Sequence, residues 1–189
     1  MNTAQRSTHR SIQVVDTAHD IMIDLETTGV YAGCCILSIG ACNLDGTRTF
    51  YVAIQHRSCL AAGLQDNSGT LEWWSKQSQE AQDAAFNNPD ALPLAEALAV
   101  FNVWLEDVEP KGIWGNGADF DKPILEAAYR AVDLVPAYKG YNTSRCYRTL
   151  KALYSWVKAP TFEGVRHNAL ADAGHQADHL LLILDAMEL

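Results

Sequence analysis

A chain of 189 residues, 48% hydrophobic and 9% aromatic, suits one domain with a sizeable core. Its formal net charge of −9 excludes a protein that coats nucleic acid through bulk charge, and no apolar run approaches the roughly 20 residues needed to span a bilayer. Five cysteines without a CxxC pair fit structural thiols in a reducing compartment, and the first twenty residues lack the apolar stretch of a secretory signal, so the expected location is the cytoplasm.

Residues 1–18, rich in Ser, Thr, Gln and Arg, read as a flexible N-terminal extension ahead of a single domain over 19–189. Strand-like runs follow at 19–26, 35–44 and 48–55, the last two joined as a hairpin by the turn "LDGT". A helix is expected from about Thr70 through Phe86, up to the breaker "NNPD". Leu94, Leu98, Phe101, Leu105 and Val108 recur at spacings of 4, 3, 4 and 3, one apolar stripe of a second helix. The run "IWG" reads as a further strand, and "FDKPILEAAYRAV" as a helix whose Pro123 falls harmlessly in the first turn. A last helix is expected from about Asn168 onward. Together these predict an α/β fold: a mixed central sheet, an antiparallel meander followed by parallel strands, flanked by helices.

The first strand ends in "IDLETTG", and the period of two places Asp24 and Glu26 on one face. Such a pair needs a cation between the carboxylates, solvation at a strand end, or a shared proton. Two more acids occupy element ends: Asp121 at a strand-to-helix junction, and Asp172 in the first turn after a helix-capping Asn168. Four carboxylates from separate segments suit two hard cations, Mg²⁺ or Mn²⁺, holding a phosphodiester for hydrolysis. His167, five residues before Asp172, cannot share its helical face. It belongs in the preceding loop, where an imidazole can serve as general base.

"DLETTG", "NGADFD" and "HNALAD" resemble, in order and spacing, the three motifs of the DEDDh 3'-5' exonucleases, a branch of the ribonuclease H-like superfamily. "TLEWWSKQS" and "SRCYRTLK" further resemble the branch containing phage exodeoxyribonuclease A, exodeoxyribonuclease VIII and a mycobacterial 3'-5' exoribonuclease. The resemblance implies metal-dependent release of nucleoside 5'-monophosphates from single-stranded or 3'-overhanging RNA or DNA. On that reading Leu25 wedges against the terminal base, Thr27 or Thr28 reaches the 3' hydroxyl, and Phe120 packs on the base. Ribonuclease T-like relatives carry an aromatic after the first motif's glycine, where this chain has Val30.

Asn116 is placed to orient the loop before Asp121. Of the adjacent Trp73 and Trp74, one belongs in the core, and Trp74 is a candidate for base stacking. Between Lys139 and Arg166 six basic residues face only Glu163, a local +5 against −14 elsewhere. Within it Arg145, Arg148 and Lys151 would line one helical side, solvated or in contact with phosphate. The apolar excess of "HLLLILDAMEL" points to a buried or dimer-facing helix, hence a homodimer. The alternatives are an end-binding module without turnover, which loss of a metal ligand or the histidine would favour, and a ribonuclease H-like endonuclease, which the histidine before the last acid disfavours.

Overall fold

Alternation along the first strand organises the molecule. The computed structural model describes residues 15–138 and 140–187. Strand β1 (Asp20–Thr27) lies at the centre of a five-stranded sheet of order β3-β2-β1-β4-β5. It pairs antiparallel with β2 (Ile36–Asn43), which pairs antiparallel with β3 (Thr49–Ala53). On its other side it runs parallel to β4 (Gly112–Gly115), and β4 parallel to β5 (Ser144–Cys146). The sheet is mixed, as the run order predicts.

Ile21, Ile23 and Leu25 point to one face, into a core shared with α4 (Leu94–Val108) and α5 (Asp121–Ala131). All five residues of the periodic stripe on α4 are buried. Met22 points to the opposite face, against α6 (Tyr147–Leu153) and α7 (Ala169–Ala186). Most of the apolar excess on α7 is absorbed within the chain: Leu180, Ile183 and Leu184 are buried and Leu150, Tyr154 and Val157 pack on the same cluster, while Leu182 is 45% exposed. That packing accounts for most of the apolar residues from which a homodimer was expected.

The expected helix from Thr70 to Phe86 is two helices, α2 (Ser68–Trp74) and α3 (Gln79–Phe86). Ser78 breaks the run by capping α3, its hydroxyl accepting from the Ala81 N–H at 3.2 Å. The break lets Trp74 from one helix and Ala81 and Ala85 from the other bury Leu37 together. A short helix α1 (His56–Ala61) and the three-residue β5 are further elements absent from the sequence reading, both too short for a periodic signal, and α6 starts only at Tyr147, after the first of the three basic residues read as one helical side. Of the proposed N-terminal extension, residues 1–14 lie outside the described residues. Val15 packs on the α7 core and Asp16 pairs with Lys111, so 15–18 adjoin the domain.

One glycine decides how closely α7 approaches. Gly40 is the register partner of Asp24, and a Cβ there would stand 2.1 Å from the Ala169 carbonyl carbon. Ala169, Ala173 and Ala177 keep the rest of this helix face small. Gly40→Ala is therefore expected to cost about 1–3 kcal/mol through overpacking, read as a melting temperature lower by several degrees. An unchanged melting temperature would show that α7 does not need this close approach.

Candidate active site

The close approach of α7 puts four acidic residues around the C-terminal half of β1. Asp24 and Glu26 share the face of Met22, toward α7, and a register shift after Glu26 ends the regular ladder. Asp121 opens α5, 1% exposed, and its Oδ2 accepts the Asn116 N–H at 2.9 Å. Gly115 makes room for it: a Cβ there would lie 2.8 Å from that oxygen.

Asp172, in the first turn of α7, accepts the His167 N–H at 3.0 Å, while Asn168 caps the helix by accepting from Ala171 at 3.1 Å. These bonds hold His167 in the left-handed region, φ 64°, an uncommon conformation for a non-glycine residue. Ligating atoms of Glu26, His167 and Asp172 all lie within 4.8 Å of one another. Asp24 is tied to the same helix by Gln176, whose amide donates to Oδ1 at 2.7 Å.

Burial and mutual repulsion govern the charges. Burial first, then Asp121, Glu26 and Asp172, push Asp24 well above the usual carboxylate range. Burial and the neighbouring Asp172 and Asp121 bring Glu26 up to about 8. Burial raises Asp121 to about 7 despite its backbone hydrogen bonds, and raises Asp172 as well. Asp121 Oδ1 and Gln176 Oε1 are buried without a hydrogen-bond partner. Four mutually repelling oxygen donors, one with an oxygen left unpaired, fit hard divalent cations such as Mg²⁺ or Mn²⁺.

A pH dependence follows. Above the ordinary carboxylate range the unfolded chain has released protons that the metal-free fold still holds, so stability falls as pH rises. The window runs from about 4 to about 8, set by Asp121 near 7 and Glu26 near 8. Melting scans in EDTA are expected to show this decline, and Mg²⁺ or Mn²⁺ to reverse it at the alkaline end. Metal-free stability rising through that window would contradict the repulsive cluster.

Two adjoining clefts open on the acids. One, about 350 Å³, is lined by Asp24, Val30, Asn116, Asp119, Phe120 and Arg148. The other, about 380 Å³, includes Leu25, Glu26, Thr27, Asn67, Trp73 and Phe120. Phe120 thus borders both, and Leu25 and Thr27 line the second, although the Thr27 hydroxyl is engaged with the Gly29 carbonyl at 2.6 Å. Val30, 70% exposed, stands where both clefts meet.

Several expected contacts are placed differently. Thr28 is fully buried, so its hydroxyl does not reach the clefts. Trp74 is the core tryptophan, 2% exposed, with its indole N–H donating to the Thr27 carbonyl at 2.8 Å, and it borders the second cleft only from within the core. Trp73 is the exposed member of the pair, and its ring meets His167 edge-on at 4.8 Å. Asn116 bonds Asp121 through its backbone and not its side chain.

Arg145, Arg148 and Lys151 do not share a helical side, because Arg145 lies in β5, before α6 begins. Arg145 donates to the carbonyls of Asn142 and Ser144 and borders a separate cavity of about 110 Å³. Lys151 lies over the Tyr147 ring. Arg148 alone of the three reaches the cleft, its guanidinium against Gly117 and close enough to Asp121 to favour the ionised carboxyl. Sequence reasoning missed Gln176, although its position four residues after Asp172 puts both on one face of α7.

The fold is similar to that of the nuclease domain of 3'hExo, a DEDDh family member solved with rAMP bound. The TM-score is 0.54 over 92% of this chain and 94% of that one, at 13% identity. No curated protein matches the chain at a significant level. The class is that of the 3'-5' exonucleases, on the fold of a DEDDh nuclease domain. Within that class the chain belongs to the Rv2179c-like 3'-5' exoribonuclease domain family, whose model matches residues 19–184. Such nucleases act on nucleic-acid ends with divalent metal ions. Among the described residues no helix is long and apolar enough to cross a membrane.

Proposed function

We propose that this chain shortens RNA from its 3' end, releasing nucleoside 5'-monophosphates, with Asp24, Glu26, Asp121 and Asp172 holding two Mg²⁺ or Mn²⁺ ions and His167 acting as general base. The observation that carries the reading is the convergence of Glu26, His167 and Asp172 within 4.8 Å, beside Asp24. The choice of RNA rests on the exoribonuclease description of the family.

When bound, the ions supply positive charge that lowers the pKa of a water and stabilises the leaving oxygen. The protein's own groups do the rest. His167 stands in the loop before α7, its backbone N–H held by Asp172 and its ring beside Glu26 and Asp172, so that it can take a proton from the attacking water. Gln176 keeps one Asp24 oxygen oriented. Phe120 and Leu25 offer apolar surface for the terminal base, Trp73 replaces Trp74 as the exposed aromatic, and Arg148 is the cation placed for a phosphate. With one such basic residue at the cleft and an acidic body, a single-stranded end or 3' overhang fits better than a long duplex.

The test is a gel time course on matched 5'-labelled single-stranded RNA and DNA and their 3'-overhang duplexes, with Mg²⁺, Mn²⁺ or EDTA. A metal-dependent ladder shortening from the 3' end, faster on RNA, is expected. Faster DNA shortening would reverse the substrate assignment. Intact substrates bound by folded protein would favour an end-binding module.

A further inference from the structure

Outside the acidic cluster a second group of ligating side chains converges. Cys35, just before β2, His56, the first residue of α1, and Asp66, in the loop before α2, place one ligating atom each within 4.8 Å of the others. His56 Nε2 and an Asp66 oxygen are 2.7 Å apart. Cys59 is three residues after His56 on α1, hence on the same helical face, and its thiol adjoins that of Cys35. Both cysteines are reduced and fully buried, whereas the His56 and Asp66 side chains are 25% and 24% exposed, which leaves an entry path.

The donor set is chemically distinct from the catalytic one. Thiolate, imidazole and carboxylate together are borderline-soft donors suited to tetrahedral Zn²⁺, whereas Mg²⁺ prefers oxygen alone. The fully buried Thr28 hydroxyl lies against Cys35 and Asp66, so the polar side chains of this cluster gather around one another.

We propose that Cys35, His56 and Asp66, completed by Cys59, form a structural Zn²⁺ site. Binding exchanges the two thiol protons for two sulfur–zinc bonds, and both protons go to solvent. The ion would join three segments that meet beneath the substrate cleft. The Cys35 N–H donates to the Gln65 carbonyl, the Thr28 N–H to the Cys35 carbonyl, and the Asn67 N–H to the Thr28 carbonyl. Asn67 in turn caps α2, which carries Trp73. The site thus fixes the turn after "DLETTG" and the cleft wall from behind, without touching the reacting groups.

The test is optical and independent of activity. The full chain, stripped of metal and kept reduced with a phosphine, is titrated with Co²⁺ and then Zn²⁺. One equivalent of Co²⁺ is expected to give a thiolate-to-cobalt charge-transfer band, which oxygen ligands of the catalytic cluster cannot produce, and Zn²⁺ should bleach it. Cys35→Ser should at least halve the band. His56→Gln, at a partly exposed position that the fold tolerates more easily, should weaken Co²⁺ at least tenfold, while Asp24→Asn leaves both quantities unchanged. No band with the reduced, folded chain would overturn the proposal. So would an unchanged band in Cys35→Ser or unchanged affinity in His56→Gln.

Discussion

Asp24→Asn is expected to abolish turnover while making the metal-free protein more stable. Asp24 stands among Glu26, Asp121 and Asp172, and burial adds to the cost of its charge. Asparagine keeps an oxygen for the Gln176 amide, so the hydrogen bond at 2.7 Å survives while the repulsion goes. Exonuclease activity should fall by at least about 10³-fold, because a neutral amide is a poor ligand for a hard cation and the developing charge loses its compensation.

The stability gain has its own signature. Near pH 4, close to the ordinary Asp value of 3.8, the unfolded carboxyl is only partly ionised and the gain from the substitution is small. At pH 8 the unfolded wild type is ionised and the fold still disfavours the charge, so the gain should grow with pH. Melting curves of both proteins in EDTA across that range check it, and adding Mn²⁺ should raise the wild type more than the variant. A variant that retains near-normal rates, or that is less stable than wild type at pH 8 without metal, would remove Asp24 from the metal set.

The second large effect concerns His167. His167→Asn is preferable to alanine, since asparagine tolerates the left-handed backbone at φ 64° and keeps the N–H that Asp172 accepts. The kcat is expected to fall by about 10²–10⁴-fold, the usual range for a general base, with little change in KM. The limb of the pH–rate profile that reports deprotonation of the base should vanish with it. Stopped turnover with an unchanged profile shape in the residual activity would assign the histidine to positioning alone. Its ring edge against Trp73 at 4.8 Å offers a control: Trp73→Ala should affect KM more than the profile.

Much of this fold was legible in the sequence because its elements are long and regular. Residues of β1 alternate between two cores, and the stripe on α4 repeats at the helical period, so local geometry alone separated strand from helix. Short pieces were not legible. Six residues of α1 and three of β5 do not complete enough turns or alternations to signal their type, and the basic spacing that pointed to a helix near Arg148 did not show that it starts only at Tyr147. The break at Ser78 was written as a capping serine, but only the demand to bury Leu37 from two helices made it a break.

The sequence by itself determined which chemistries were available: four acids and a histidine at element ends, in an order that named a class of exonuclease. Tertiary structure alone decided how those groups stand to one another. The two tryptophans are neighbours in the chain, and the sheet chose Trp74 for the core because its N–H could reach the Thr27 carbonyl. Arg148 faces the cleft and Arg145 does not, because β5 ends between them. Gln176 meets Asp24 across 152 positions, and Cys35, His56 and Asp66 converge from three segments, each through a backbone path that no local period encodes. Local sequence sets the period of each element. The close packing of α7 over Gly40 sets how near Asp172 and His167 come to the acids of β1, and that distance is a property of the assembled core.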